Sequence, residues 1–284
     1  MIFLKGLFNR QQIAEGNRHH GKLRSCQCTQ SQLQSETFQA WGARLRERPM
    51  RMHRKIWEYC YIVQTLYERG MLAPGRRGLG FAVGQEPLSA MFASLGCEIV
   101  ASDLETDEAE RAKWVETNQH AASLEVLNQR GICEADLFRE RVTFRFLDMR
   151  ELPDGLGLFD FIWSSCSLEH LGTIGLGENF IYESLKYLKP GGVAVHTTEF
   201  NVRSNVLTLR KGPIVVFRRR DLERIAKRLR EMGYTVDLNF SSGNLPYDKL
   251  IDKPPYRQEI HLKLLLSIYV ATSFGLIIES PQGA

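Results

Sequence analysis

Hydrophobic positions along this 284-residue chain follow first a helical period and then an alternation of strands and helices. Between Phe38 and Gly70, apolar residues recur at steps of three and four, which is typical of one buried helix face. From residue 78 onward, short apolar runs alternate with helical patterns. The predicted strands are 78–82, 98–103, 142–148, 159–166 and 193–200, and the predicted helices are 86–95, 108–119, 121–130 and 179–188.

This alternation predicts an α/β fold: a Rossmann-like doubly wound sheet, mostly parallel, with helices on both faces. A helix headed by Asp221, a strand over 234–240 and a strongly apolar run over 264–278 follow. Because no helical pattern separates these last two strands, we expect them to pair with each other, which makes the last strand antiparallel. The apolar run is shorter than the ~20 residues of a spanning helix, so we predict no membrane span.

Charge is distributed unevenly, although the net charge is only +4. Residues 1–55 contain eleven Lys and Arg against three Asp and Glu, a net +8, which leaves −4 for the rest. Residues 1–37 show no sustained period, so we interpret them as a basic, flexible leader. One domain follows over 38–284, with an N-terminal helical lid at 38–75. A nucleic-acid contact through the leader stays open but is not favoured.

The six cysteines are scattered, and Cys26 and Cys28 form a lone CxC motif without a second pair. We therefore expect reduced thiols in a cytoplasmic protein and no zinc site. Another candidate metal pair, His196 and Glu199, is separated by an odd step within a strand. The two side chains then lie on opposite faces, so we assign no metal ligand.

A glycine-rich turn links the strand at 78–82 to the helix that follows it, in the stretch "GLGFAVGQEPLSAM". Glycines allow the backbone to approach a ligand closely, and the helix offers unpaired N–H groups there. Asp103 ends the next strand, where a carboxylate accepts hydrogen bonds from ribose hydroxyls. This pattern alone fits NAD, FAD or S-adenosylmethionine. Glu86, however, would repel a pyrophosphate and attract an ammonium or sulfonium group.

Three downstream motifs distinguish these cofactors. Asp148 lies in "FRFLDMREL" at a strand end, "FDFIWSSCSLEHLG" ends the next strand in small polar residues, and "LKPGG" closes a helix. With these motifs the chain resembles the class I S-adenosylmethionine-dependent methyltransferases over residues 56–280. The resemblance implies that the cofactor is S-adenosylmethionine. The cofactor-binding positions that it implies are Gly80, Ala82, Gly84, Glu86, Asp103, Leu104, Asp148, Met149 and Ser164.

The glycine loop departs from the family's D/E-x-G-x-G-x-G pattern. Aligned on Leu88, Gly80 replaces the acidic residue, Ala82 the first glycine and Glu86 the third. We expect Glu86 to supply the missing carboxylate and to meet the ammonium group of the cofactor.

Methyl transfer from a sulfonium is an in-line displacement, helped by a general base if the acceptor is a hydroxyl. His170 is the expected base, with Glu169 orienting it or binding the acceptor. The polar segments 201–217 and 241–259 follow strand ends, where specificity is commonly set. They predict a polar small molecule or a glycan as acceptor. The sequence leaves the oligomeric state open.

A short-chain dehydrogenase is the alternative reading. Tyr182 and Lys186 form a YxxxK pair, and Ser167 precedes them, as in a carbonyl-reducing site. The glycine-rich turn expected after the fourth strand is absent, however, and Pro190 leaves no long helix beyond the pair. We therefore favour the methyltransferase.

Overall fold

The computed structural model describes residues 21–105, 121 and 123–283. Within them a nine-stranded sheet has the order β4-β3-β2-β5-β6-β9-β1-β7, and β8 pairs with β9. The strands are β1 Ser25–Gln27, β2 Arg77–Phe81, β3 Glu98–Asp103, β4 Val142–Phe146, β5 Phe159–Ser165, β6 Leu188–Asn201, β7 Leu238–Asn239, β8 Leu264–Leu266 and β9 Tyr269–Glu279.

Strands β4, β3, β2, β5 and β6 are parallel neighbours, and β9 is antiparallel to β6. The predicted fold class, a mostly parallel Rossmann-like sheet with an antiparallel last strand, is therefore confirmed. The prediction that the last strand pairs with the strand over 234–240 is only partly right. An isolated antiparallel bridge joins Thr235 to Glu279, but β1 separates β9 from β7 further along.

Seven α-helices pack around the described part of the sheet. They are α1 Gln30–Gln34, α2 Glu36–Arg44, α3 Arg54–Glu68, α4 Leu88–Ser94, α5 Ala135–Arg141, α6 Ile174–Ser184 and α7 Arg219–Glu231. The predicted helix 108–119 lies outside the described residues. The predicted helix 121–130 is only a 3₁₀ turn, Glu125–Asn128, and α5 was not expected.

The end of the predicted leader belongs to the core. Strand β1 is buried and pairs antiparallel with β9 and parallel with β7. The hydroxyl of Tyr61 donates to the carbonyl of Arg24, and the amide of Ile277 donates to Ser25 Oγ at 2.9 Å. Residues 21–37 therefore differ from the flexible leader that we expected. A strand of three residues is too short to show a period.

Two helices occupy the segment interpreted as a lid. Helix α3 packs flat on the sheet, where the ring of Tyr61 lies against Gly275. A Cβ atom on Gly275 would come within 2.0 Å of that ring. Trp41 of α2 donates to Gln64 of α3 at 2.8 Å, which joins the two helices. Most of this segment is thus core, and only the start of α3 reaches the cavity described below.

The apolar run 264–278 forms the β8–β9 hairpin rather than one strand. Among the described residues, no helix combines the length and the hydropathy needed to cross a membrane. All six cysteines are buried and free.

Candidate active site

A cavity of about 490 Å³ opens at the carboxyl ends of β2 and β5, where the strand order reverses. Ligands of open α/β sheets bind at this switch point. Four parts of the chain enclose the cavity: the start of α3, the loop after β2, the turn after β5, and Gln129, which follows the 3₁₀ turn Glu125–Asn128. The lining residues are His53, Arg54, Lys55, Tyr59, Ala82, Val83, Gly84, Gln85, Glu86, Gln129, Ser165, Cys166 and Ser167.

The loop after β2 has a left-handed backbone at Ala82 (φ +46°) and at Gly84 (φ +52°). Ala82 stands where the family motif has a glycine, and its backbone adopts the conformation that glycine tolerates best. Non-glycine residues at positive φ concentrate at functional sites. Cys166, on the opposite wall of the cavity, is a second one (φ +51°). Both walls therefore hold a strained backbone turn.

Gly80 allows close packing inside the sheet and does not line the cavity. A Cβ atom there would come within 2.3 Å of the Trp163 ring and 2.6 Å of Val83. Gly80 is not among the residues that line the cavity. The structure thus gives this predicted cofactor position a different role, which is to let the indole of Trp163 lie against β2.

Glu86 is buried and lines the cavity. Trp163 donates its indole N–H to Oε1 of Glu86 at 2.6 Å. Burial raises the pKa of Glu86 to about 8, although the Trp163 hydrogen bond and the positive charge of Lys55 act in the opposite direction. The cavity lining therefore has one carboxyl group, that of Glu86, which would ionise next to a bound cation. It also has one ammonium group, that of Lys55.

Asp103 organises the loop after β2. Its Oδ2 accepts the backbone N–H groups of Gly84 and Ala121, each at 3.0 Å, and its Oδ1 accepts that of Leu104 at 2.9 Å. The carboxylate thus joins the end of β3 to the loop. Its expected contact with a ribose stays a prediction, as does the expected cofactor contact of Leu104.

Asp148 lies beyond β4, where it accepts hydrogen bonds from Arg150: its Oδ2 from Nε at 2.9 Å and Nη2 at 2.6 Å, and its Oδ1 from the backbone N–H at 2.8 Å and Nε at 3.0 Å. Burial raises the pKa of Asp148, but the bonds from Arg150 outweigh it, so the pKa is lower than usual. Met149 is buried in the core. The adenine contact expected of Asp148 and the cofactor contact of Met149 stay predictions.

Ser164 differs from the expectation. Its side chain is fully buried and its Oγ lies 2.9 Å from Nδ1 of His196, on the far side from the cavity wall. The next three residues, Ser165 to Ser167, line the cavity instead. Side chains alternate along a strand, so a one-residue difference changes the face.

A buried ionic cluster that the sequence analysis missed lies next to the cavity. Glu58 is fully buried, and it accepts contacts from Lys55 Nζ at 2.8 Å, Arg54 Nη1 at 3.2 Å and Cys166 Sγ at 3.0 Å. Arg54 also pairs with Glu199. Burial raises the pKa of Glu58, but Lys55 and Arg54 outweigh it and hold the pKa at about 2.

The cluster fixes the position of Lys55 at the cavity. Burial raises the pKa of Glu199 to about 7 against the opposing charge of Arg54. The available sequence signal was Arg54, Lys55 and Glu58, three charges in the first turns of an apolar helix. Their partner Glu199 is far away in sequence, so the cluster itself was not predictable.

The expected base His170 and its partner Glu169 do not line the cavity. Thr198 donates to Oε2 of the buried Glu169 at 3.0 Å, and burial raises the pKa of this carboxyl. His170 Nδ1 lies 2.9 Å from the carbonyl of Pro213, and burial lowers the pKa of the imidazole. Their catalytic roles stay a prediction.

His196 and Glu199 lie on opposite faces of β6, as expected. His196 contacts Ser164 and Phe180, whereas Glu199 pairs with Arg54. Within the described ranges, no group of three His, Cys, Asp or Glu is arranged to hold a metal ion.

The dehydrogenase residues lie apart. Tyr182 donates to Glu178 at 2.9 Å, and Lys186 donates to Asp154 at 3.1 Å. Ser167 lines the cavity and contacts the carbonyl of Ala82 at 3.4 Å. Lys186 is therefore not positioned to activate Tyr182, and the two are not joined to Ser167.

Comparison with known proteins defines the fold. The [4+2]-cyclase SpnF has a TM-score of 0.50 and 17% identity, over 78% of this chain and 81% of that one. Phosphoethanolamine N-methyltransferase 2 from Haemonchus contortus, solved with phosphomonomethylethanolamine and S-adenosylhomocysteine, has the same score and identity, over 86% of this chain and 60% of that one. The chain has the class I methyltransferase fold.

Magnesium protoporphyrin IX methyltransferase from Synechocystis is also similar to the chain, with a TM-score of 0.49 and 13% identity, over 98% of this chain and 95% of that one. No protein-family model and no curated protein matches the chain. A methyltransferase and a cyclase share the class I methyltransferase fold, so the fold alone does not decide the reaction. The reaction must therefore be inferred from the residues of the cavity.

Proposed function

We propose that this chain is an S-adenosylmethionine-dependent methyltransferase that acts on a polar small molecule. The observation that carries the proposal is that Glu86 and Lys55 line the same cavity at the switch point of the sheet. An amino-acid group bears an ammonium and a carboxylate; Lys55 offers the positive charge, and Glu86 offers the negative charge once the bound ammonium lowers its pKa and the carboxyl ionises. The bound cofactor supplies a methyl group activated by its sulfonium.

The cavity residues fit that cofactor in distinct roles. Glu86 binds the ammonium, Lys55 binds the carboxylate, and the backbone of the loop from Ala82 to Gly84 lies along the ligand. Asp103, which fixes this loop, accepts hydrogen bonds from the ribose. The same Glu86 argues against a dinucleotide, because a pyrophosphate is repelled by the ionised carboxylate and gives the protonated carboxyl no cation to meet.

Proton removal from a hydroxyl acceptor is the role we propose for His170. Burial lowers the pKa of its imidazole, so the ring is neutral near pH 7 and able to accept a proton. The hydrogen bond that Nδ1 donates to the carbonyl of Pro213 fixes one edge of the ring. Glu169 helps to position the acceptor or the ring.

The acceptor is the finer part of the proposal. The segments 201–217 and 241–259 meet around a second cavity of about 530 Å³, beyond the carboxyl end of β6. Its lining includes Asn201, Ser204 and Ser242, which supports a polar small molecule or a glycan. The alternative acceptor is nucleic acid, recruited by the basic residues within 1–37. Methyl transfer to RNA rather than to a metabolite would reveal it.

Isothermal titration calorimetry tests the cofactor. We expect S-adenosylmethionine and S-adenosylhomocysteine to bind in the micromolar range and NADPH not to bind. Glu86→Gln and Lys55→Met should each weaken S-adenosylmethionine, whereas Lys227→Gln, an exposed charge on α7, should not. Tight NADPH binding would contradict the proposal. Transfer of labelled methyl to a metabolite extract rather than to RNA would support the acceptor class.

A further inference from the structure

Positive charge surrounds the second cavity. Four cationic side chains line it: Arg203, Arg219, Lys249 and Lys263. The one acidic side chain in the lining is Asp248, so the lining has a net charge of +3 from four cations and one anion. The volume of about 530 Å³ lies within the range of roughly 300–1,000 Å³ that is typical of small-molecule sites.

Most of these cations lack a carboxylate partner. In the part of the chain that the structure describes, Arg203, Lys249 and Lys263 form no ion pair, whereas Arg219 pairs with Glu223 at 2.8 Å. Burial lowers the pKa of Lys263; the charge of Asp248 opposes this, and the charge of Arg203 adds a smaller lowering. The ammonium of Lys263 donates to the carbonyl of Asp248. Two like charges that repel each other beside a cavity are stabilised by an anion bound between them.

The carboxylate of Asp248 is already bound by backbone N–H groups of the protein. Its buried carboxylate accepts the backbone N–H of Gln30 at 2.7 Å and that of Leu245 at 3.1 Å. These bonds anchor the segment 241–259 to the start of α1. The acid therefore builds the cavity wall, and its hydrogen-bonding capacity is directed at the backbone.

Gln27 adds an unsatisfied acceptor to the same lining. The residue is 3% exposed, and its Nε2 donates to the carbonyl of Phe240 at 3.1 Å. Its Oε1 is buried without a hydrogen-bond partner among the described residues. A buried acceptor without a partner costs about 1–3 kcal/mol. A ligand hydroxyl or amine would remove that cost.

We propose that the second cavity binds a small organic anion that carries a carboxylate or a phosphate and also a hydroxyl or amine donor. Arg203, Lys249 and Lys263 bind the anionic group, and Oε1 of Gln27 accepts the donor. This inference narrows the acceptor class and rests on the proposed function only for the ligand's role as acceptor. Binding itself requires no methyl donor.

Calorimetry at low ionic strength tests the site on the full chain. The probes are glycerol 3-phosphate for the phosphate arm, L-malate for the carboxylate arm, and glycerol as the neutral match. We expect at least one anion to bind with a Kd below about 1 mM and glycerol not to bind. Arg203→Gln should weaken that anion about tenfold, whereas Lys227→Gln, which removes a charge outside the cavity, should leave it unchanged.

Gln27→Leu separates the two parts of the site. It should weaken the hydroxyl-bearing anions and leave inorganic phosphate unchanged. Absence of saturable binding by either anion up to about 10 mM would overturn the proposal, as would equal losses in the variants at Arg203 and Lys227. Titration of the same samples with S-adenosylmethionine keeps the two proposals apart, since anion binding without cofactor binding would refute the methyltransferase alone.

Discussion

The buried carboxyl of Glu86 should make the stability of the protein fall between pH 6 and pH 8, and Glu86→Gln should remove that part of the fall. The pKa of Glu86 is about 8 in the folded chain against an ordinary 4.5. The folded state therefore retains its proton when the unfolded state has lost it. The stability that this proton provides is complete below pH 4.5 and is lost as the pH rises through 8.

The expected magnitude follows from this difference. Each pH unit within the window costs about 1.4 kcal/mol, and the cost levels off near pH 8 because the folded carboxyl ionises there. Between pH 6 and pH 8, Glu86 alone should lower the free energy of unfolding by about 2 kcal/mol. Gln retains an amide oxygen for the indole of Trp163 but cannot ionise, so the packing of the variant stays close to the original.

Urea unfolding of both proteins at pH 6, 7 and 8, without ligand, measures this difference. Other buried carboxyls, such as that of Glu199, contribute equally to both proteins and cancel in the comparison. Trp163→Phe, which removes the hydrogen bond that lowers the pKa of Glu86, should move the fall to higher pH. Identical pH dependence in the original and Glu86→Gln proteins would refute the reasoning, because the carboxyl would then not be protonated in the folded state.

Three further outcomes test the site and the core. Asp103→Ala should weaken S-adenosylmethionine by about 1–3 kcal/mol in calorimetry, the scale of lost hydrogen bonds to a charged group; unchanged affinity would remove it from the site. His170→Gln should lower kcat for a hydroxyl acceptor and leave cofactor affinity intact; an unaltered kcat would exclude it as the base. Gly275→Ala should lower the free energy of unfolding by about 1–3 kcal/mol through its clash with Tyr61, whereas Gly21→Ala, which meets nothing within 4 Å, should not.

Elements with a strong local pattern were predictable. Strand β3 has the expected bounds, 98–103, because three consecutive apolar residues, Ile99 to Ala101, mark a strand that is largely covered on both faces. The loop from Ala82 to Glu86 was placed at the cavity because its glycine and its position after a strand are local features.

Features that depend on distant partners were not predictable. Ser165 rather than Ser164 faces the cavity, since the phase of side-chain alternation is fixed by the pairing with β6. The salt bridge between Arg54 and Glu199 joins helix α3 to a strand far along the chain. A local pattern cannot show which distant residue a charge pairs with. Burying an unpaired charge costs free energy, so each of these two buried charges needs its partner.

Strand β1, near one end of the described chain, can pair in the sheet only after the strands near the other end have been made. The hydrogen bond from Ile277 to Ser25 spans 252 residues, and β9 lies between β6 and β1. On a ribosome, β1 is made before the other described strands, but both of its partners, β7 and β9, are made only late in the described chain. Closing so long a loop is entropically costly and slow. This side of the sheet therefore assembles after synthesis of β9, while β2 to β6 have their parallel neighbours earlier.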